Sequence, residues 1–367
     1  MVNLYIGLMS GTSADSIDAA ILDLPDNKIN VLDVKNFPIP KELKARIYKA
    51  SESDEIDNKE IQELNYEMGK LLVKSVKALL LKKKLQPSQI QAIGSHGQTI
   101  KHEPLTKNPF SLQIGSPEII SKELKITTVA DFRSDDIQAG GQGAPITPVF
   151  HKAVFGSVNK RRVIINVGGI SNLTAIDAKN KVIGFDTGPG NCLIDAWSRK
   201  NNIGQYDKNG NWARTGKVHE ILLRELLKDK YFFKNYPKST GPDYFNIKWL
   251  ERSLSELNEN IKPQDVQATL LELTTKSITD QVNNVGYQKE NIYLCGGGIH
   301  NTTLVKSLSD KLQGKVKTTL DLGIDPDFLE AICFGWLAKK RIENVKFDLS
   351  SITGSNVDVY LGRIWRK

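Results

Sequence analysis

Long apolar runs are missing from this 367-residue chain. None approaches the roughly 18 residues that a membrane-spanning helix requires. The first residues, Met1-Val2-Asn3-Leu4-Tyr5-Ile6, lack a basic head and a long apolar core, which predicts a strand rather than a signal peptide. Cysteine is scarce. Cys192, Cys295 and Cys333 are far apart, odd in number and each set in apolar surroundings, which argues against disulfides or a zinc site and for buried thiols in a reducing cytoplasm. There is no Walker sequence GxxxxGK[ST] and no GxGxxG fingerprint. An aromatic–basic stripe is also absent, so the formal net charge of +8, from scattered lysines, does not point to nucleic acid. The lysines read as a solvated surface, mildly favourable to an anionic substrate. What remains is the composition of a soluble globular protein, 40% hydrophobic and 25% charged, long enough for about two domains.

The apolar pattern begins with strands over 3–9 and 17–24, a small-residue turn between them, and a third strand over 29–37. Helical spacing follows over 41–50 and 58–84, then a short buried strand over 90–94. Residues 113–115 and 126–130 read as further short strands. The Gly-rich stretch Ala139-Gly140-Gly141-Gln142-Gly143 marks a domain boundary, giving domains 1–140 and 141–367. The pattern then restarts with a strand over 162–167, a glycine turn, a returning strand over 173–177 and a third over 182–186. Later come helices near 191–201, 214–228, 246–257 and 264–285, a strand over 291–295, a strand over 316–320 and a helix over 327–341. Both halves open alike, so the chain reads as a duplicated α/β architecture.

Four stretches carry chemistry. In the first turn, Gly11, Thr12, Ser13, Ala14, Asp15, Ser16, Ile17 and Asp18 offer small residues and hydroxyls whose backbone N–H groups can wrap phosphate. Asp15 or Asp18 could hold Mg²⁺, usually through water. The second turn, Gly168-Gly169-Ile170-Ser171, occupies the matching place in the second half. Either turn alone is compatible with a plain hairpin; two at matching places favour a phosphate clamp. The third is Gly296-Gly297-Gly298, after a buried strand, which allows close approach of a phosphate or a flat ring or simply a turn at positive φ. The fourth is a polar set in loops beside glycines: His96, Gln98, Thr99, Asp131, Arg133, Asp136 and Gln142, suited to a sugar. Within it His96 reads as a structural histidine before a base, and Arg133 has Asp131, Asp135 and Asp136 at hand. Beyond these, Val182, Ile183 and Phe185 run into Asp186, and Gly188-Pro189-Gly190 break the chain before a helix. A carboxylate at such a strand end can take a proton or hold a metal, and free N–H groups at the turn attract phosphate.

The strings GLMSGTSADSID, GSHGQTIKHEP, ADFRSDDIQAGGQGAP, NVGGISNLT, GFDTGPGNCLIDAW, PKSTGPDYFN, CGGGIHN and DPDFLEAICFGWLA run in order from residue 7 to about 338. Together they resemble the anhydro-N-acetylmuramic acid kinase family, within the actin, sugar-kinase and heat-shock ATPase superfamily. One departure is Ser16, where the family pattern GTSxDGID has glycine. The resemblance implies two duplicated actin-like (ribonuclease H-like) ATPase domains around a central cleft that closes on binding. It also implies a cytoplasmic ATP- and Mg²⁺-dependent kinase for a small anhydro-sugar, acting in peptidoglycan recycling without nucleic acid or membrane partners; a homodimer is compatible with it. Asp186 would be the base that activates water, and Glu330 would orient that water. By the same resemblance the sugar falls to His96, Gln98, Thr99, Asp131 and Arg133, with Arg133 meeting a lactyl carboxylate. The nucleotide falls to residues 11–18, to Gly168, Gly169 and Ser171, and to Gly296, Gly297 and Gly298. Two rival readings are a kinase for another anhydro-sugar, such as levoglucosan, and a superfamily ATPase that works as a conformational switch.

Overall fold

The computed structural model describes residues 3–26, 28–53, 55, 57–257 and 259–367; Met1 and Val2 of the predicted first strand lie outside them. The strands in chain order are β1 (Leu4–Met9), β2 (Ser16–Asp23), β3 (Asn30–Pro38), β4 (Ile90–Ser95), β5 (Gln98–Glu103), β6 (Phe110–Ile114) and β7 (Thr128–Ala130). They continue as β8 (Arg162–Val167), β9 (Ile170–Ile176), β10 (Val182–Pro189), β11 (Ile292–Cys295), β12 (Val316–Thr318), β13 (Lys346–Phe347), β14 (Val359–Tyr360) and β15 (Arg363–Trp365). The helices are α1 (Lys41–Glu52), α2 (Asn58–Lys83), α3 (Pro117–Leu124), α4 (Ser134–Gln138), α5 (Thr147–Phe155) and α6 (Cys192–Lys200). After these come α7 (Glu220–Leu227), α8 (Ile247–Leu257), α9 (Pro263–Asn284), α10 (Thr302–Lys311) and α11 (Leu329–Ile342).

The chain forms two compact units, Met1–Phe150 with Phe328–Lys367, and His151–Asp327. In the first unit the sheet order is β15-β7-β4-β1-β2-β3. The strands β1, β2 and β3 form an antiparallel meander, while β4 runs parallel to β1 and β7 parallel to β4. In the second unit the order is β10-β9-β8-β11-β12. Here β8, β9 and β10 form the meander, β11 runs parallel to β8, and β12 parallel to β11. The order third-second-first-fourth-fifth, with the same directions, thus occurs twice. This is the ribonuclease H-like arrangement of the actin-type ATPases, and it bears out the duplication read from the sequence.

Local chemistry explains the elements. Every residue of central strand β1 is buried, as a strand covered on both faces requires. The N-terminus of α2 is capped by Asp57, whose side chain accepts from Lys59 N and Glu60 N. One face of α2 buries Leu64, Met68, Leu72, Val76 and Leu79, and the helix ends at Lys84 in the left-handed region, φ 54°.

The division differs from the one expected at 140/141, because the C-terminal segment returns to the first unit. Within that unit α11 lies against β1 and β4 at residues without side chains. A Cβ on Gly7 would overlap the carbonyl oxygen of Ala331, and one on Gly94 would overlap that of Phe334. The strand β15 then adds antiparallel to β7, with Ile364 opposite Val129.

Four further elements differ from the sequence reading. The loop expected at Gln98 and Thr99 is strand β5, which pairs with β6. The helix expected over 214–228 is a short turn at Ala213–Thr215 followed by α7. The strand expected over 316–320 stops at Thr318. Finally, β10 does not end at Asp186 but runs to Pro189. The three cysteines are free, Cys295 and Cys333 buried and Cys192 half-buried. Among the described residues no helix is long and apolar enough to cross a membrane.

Candidate active site

In the second unit, Asp186 sits in β10 opposite Asn172, and the next paired residue is Gly188 opposite Ser171. Thr187 is therefore a bulge, which re-aims the side chains on either side of it. Its hydroxyl donates to Ser171 O at 3.2 Å. Asp186 is only 5% exposed. Its own N–H donates to Lys238 O at 3.1 Å, its Oδ2 accepts from Thr240 N at 3.0 Å, and its carbonyl oxygen accepts from the Tyr231 hydroxyl at 2.6 Å. Lys238 is buried beside it. Burial brings the Lys238 ammonium down to about 8, with Asp186 pulling the other way. Burial first, and Asp186 second, push the Tyr231 phenol well above its usual range.

The N–H groups expected to be free after Asp186 are already used. Gly190 N and Cys192 N donate to Gly169 O at 2.9 and 3.0 Å, and Asn191 N donates to Gly168 O at 2.9 Å. The second glycine turn thus caps the start of α6, and these three donors are not left for phosphate. The side chain of Ser171 is fully buried. At the third glycine stretch, Gly296 has φ 79° and donates to Pro326 O at 3.0 Å. A Cβ on Gly298 would overlap Val167, so that glycine seats the turn on β8. Nothing lies within 4 Å of a Cβ built on Gly297. Gly297 is thus the member of this stretch with open space beside it.

In the first unit the turn between β1 and β2 is closed by Ala14 N donating to Gly11 O at 3.0 Å. Ala14 holds φ 43°, while Ser16 starts β2 without a positive φ. The serine departure therefore demands nothing of the backbone. Its hydroxyl oxygen accepts from Asn36 Nδ2 at 2.6 Å. Thr12 and Ser13 are exposed, and a Cβ on Gly11 would meet nothing within 4 Å. Ala14 and Ile17 have their side chains in the core, so only their backbone could face a nucleotide. Asp15 is paired with Lys44, and Asp18 Oδ1 accepts from Asn36 Nδ2 at 2.8 Å. Among the described residues no group of three His, Cys, Asp or Glu side chains is placed to hold a metal ion.

Within the polar set, Arg133 is held by two acceptors. Arg133 donates from Nη2 to His96 Nε2 at 2.9 Å and from Nη1 to Gly143 O at 2.7 Å. An acceptor at Nε2 places the His96 proton on Nδ1, which lies 3.0 Å from Gly97 O. Burial, with Arg133 adding to it, takes His96 down to about 3. It is therefore a neutral acceptor that aims Arg133, in keeping with the structural reading. Gln98 Oε1 accepts from Ser10 Oγ at 2.7 Å, tying the polar set to the first turn. Thr99 Oγ1 accepts from Gln113 Nε2 at 3.3 Å.

The carboxylates near Arg133 serve other partners. Asp131, at φ 51°, accepts from Ser134 Oγ at 2.6 Å and pairs with Arg363 at 3.4 Å. Asp135 pairs with Arg363 at 3.1 Å. Asp136 is buried and accepts from Gly143 N and Thr353 Oγ1, both at 2.7 Å. Burial raises its carboxyl, against those two hydrogen bonds and Arg133. Glu330 lies in the first turn of α11, half-buried, where its charge adds to burial in raising the Cys333 thiol.

The whole chain can be set beside known proteins. The family model for anhydro-N-acetylmuramic acid kinase matches residues 3–367. The chain belongs to the anhydro-N-acetylmuramic acid kinase family. A relative of that name from Pasteurella multocida (strain Pm70) is 43% identical over 365 residues, 99% of this chain and 97% of that protein. One from Coxiella burnetii (strain RSA 493 / Nine Mile phase I) is 44% identical over 364 residues, covering 98% and 97%. One from Photobacterium profundum is 41% identical over 374 residues, covering 99% of both. Members of this family are kinases, and this chain is one. Residue-by-residue reasoning missed Tyr231, Lys238 and Thr240, which bracket Asp186. Lys238 and Thr240 lie in the family string PKSTGPDYFN, but nothing local in that string points to a strand so far back in the chain.

Proposed function

We propose that this chain opens 1,6-anhydro-N-acetylmuramic acid with water and phosphorylates the freed 6-oxygen from ATP. The products are N-acetylmuramic acid 6-phosphate and ADP, in the cytoplasm, during recycling of the cell wall. The observation that carries this reading is Asp186: a buried carboxylate, fixed by Thr240 N and set beside a strand bulge, in a chain that matches the family from end to end. Water is a poor nucleophile and needs such a base. Asp186 takes a proton from water as the water oxygen bonds to the anomeric carbon. The bond from that carbon to the 6-oxygen breaks, and the 6-oxygen receives the γ-phosphoryl group while ADP leaves. No protein nucleophile is required. Glu330 orients the same water.

His96, Gln98, Thr99, Asp131 and Arg133 bind the sugar. Arg133, aimed by His96 and Gly143 O, meets the lactyl carboxylate. The nucleotide phosphates meet the backbone at Gly11, Thr12 and Ser13 and at Gly297, the open positions of their stretches. Asp15 and Asp18 already have side-chain partners, so they do not fit direct ligation of a resident ion. Mg²⁺ enters with the triphosphate, carried by phosphate oxygens and water.

Mass spectrometry of the product formed in ¹⁸O-water tests the reaction. One heavy oxygen at the anomeric hydroxyl, with the phosphate on an unlabelled 6-oxygen, is expected. Label in the phosphate ester, or ATP hydrolysis that does not depend on the sugar, would sink the reading.

A kinase for levoglucosan is separated by Arg133, because that sugar has no lactyl carboxylate. Arg133→Ala is expected to lower kcat/KM for the anhydro-muramic sugar by about 10- to 100-fold, the loss of a charge-assisted hydrogen bond. Steady-state rates on both sugars check this. Unchanged activity on the muramic sugar would remove Arg133 from its role.

A further inference from the structure

The hydrogen bonds on Asp186 come from both ends of one segment. Tyr231, near its start, donates its hydroxyl to Asp186 O at 2.6 Å, and Thr240 N, near its end, donates to the Asp186 carboxylate at 3.0 Å. Between them, Lys238 O accepts from Asp186 N at 3.1 Å. Strand β10 is an edge of its sheet, so this segment stands where a neighbouring strand would. Beyond the short turn Lys230–Phe233, residues 234–240 form neither helix nor strand. Their course is therefore set by how the ends are held. One side chain holds both. Asp229 Oδ1 accepts from Tyr231 N at 2.8 Å and from the Tyr244 hydroxyl at 2.9 Å. Its Oδ2 accepts from the same hydroxyl at 3.0 Å and from Trp249 Nε1, on α8, at 2.8 Å. Beneath this clasp Tyr231 is 2% exposed, its ring edge-on to Phe245 at 5.4 Å, and Phe245 is edge-on to Trp249 at 5.1 Å.

We propose that Asp229 is a positioning residue for the reaction: it clasps the two ends of the segment 230–244 and, through Tyr231 and Thr240, sets where the Asp186 carboxylate stands. This rests on Asp186 being the base. A base must meet the proton of its water within hydrogen-bond reach, and a small displacement of an aligned group is costly. Opening the clasp frees residues 231–240 to shift along the edge of β10, and the carboxylate that Thr240 N holds shifts with them.

The test is a double-mutant cycle read by steady-state ADP release with the anhydro-sugar and ATP, on variants shown to be folded by circular dichroism. Asp229→Asn keeps the size of the side chain but turns one acceptor oxygen into a donor, so Tyr231 N or Trp249 Nε1 loses its acceptor. It is expected to lower kcat by about 10- to 100-fold, the cost of a small misplacement, with KM for sugar and ATP nearly unchanged. The same exchange made in Asp186→Asn is expected to add no further loss, because the base to be positioned is already gone. A general loss of packing would instead cost the same factor in both backgrounds, and that result overturns the proposal. A folded Asp229→Asn enzyme with the parent's kcat overturns it as well. Should Asp229→Asn not fold, Tyr244→Phe takes its place, since it removes one hydroxyl of the clasp and keeps the ring. A lower kcat that disappears as an effect in Asp186→Asn supports the clasp; a parental kcat, or an equal loss in both backgrounds, overturns it. Near-full turnover by Asp186→Asn would remove the base itself. A slow Asp186→Asn beside an unimpaired Asp229→Asn removes Asp229 alone.

Discussion

Replacing Asp186 by asparagine is expected to lower kcat by about 10²- to 10⁴-fold, the range in which a general base contributes. The exchange is nearly isosteric, and the amide oxygen can still accept from Thr240 N, which now bonds the carboxylate at 3.0 Å. What is lost is the ability to take a proton from water. Sugar contacts assigned to His96, Gln98, Thr99, Asp131 and Arg133 are untouched, so the KM for the sugar should change far less than kcat. An interaction needed only in the transition state produces this signature. Rates must be referred to the folded fraction. A steady-state assay of ADP release, with the sugar varied, makes the measurement. Near-full turnover would show that the base lies elsewhere.

Gly7→Val is expected to destabilise the protein by about 3 kcal/mol or more, at the upper end for overpacking a core. A Cβ at Gly7 overlaps the Ala331 carbonyl oxygen and comes within 2.7 Å of Gly335 N. Both obstacles are backbone atoms of α11, which cannot rotate aside as a side chain can. Relief requires α11 to lift from β1, and Gly94 repeats the same seat at Phe334. For a unit of this size the melting temperature should drop by about 6–12 °C. A thermal melt followed by circular dichroism reads this directly. A melting temperature within a degree or two of the parent would mean that α11 is not seated on β1 as described.

Much of this was legible in the sequence. The buried strands Leu4–Met9, Arg162–Val167 and Ile292–Cys295 stand out as apolar runs, and α2 follows from the spacing of Leu64, Met68, Leu72, Val76 and Leu79. The duplicated opening was visible because the same three-strand pattern recurs after Arg162. The return of α11 to the first unit was not legible, since it depends on Gly7 and Gly94 meeting a helix more than two hundred residues away. Strand β5 was missed because glycine and polar residues in Gly97-Gln98-Thr99 imitate a loop.

The region around Asp186 divides in the same way. The sequence by itself determined that an apolar strand delivers a carboxylate to a glycine-rich break, and that the family strings surround it. Tertiary structure decided what the carboxylate faces. The N–H groups that appeared free at Gly190, Asn191 and Cys192 are capped by Gly168 and Gly169, and the chain bulges at Thr187. Tyr231, Lys238 and Thr240, from a later segment, close around Asp186. Local pattern records which residues a strand buries. It carries no record of which distant backbone supplies their hydrogen bonds, because those partners are set only when the sheet and its loops pack.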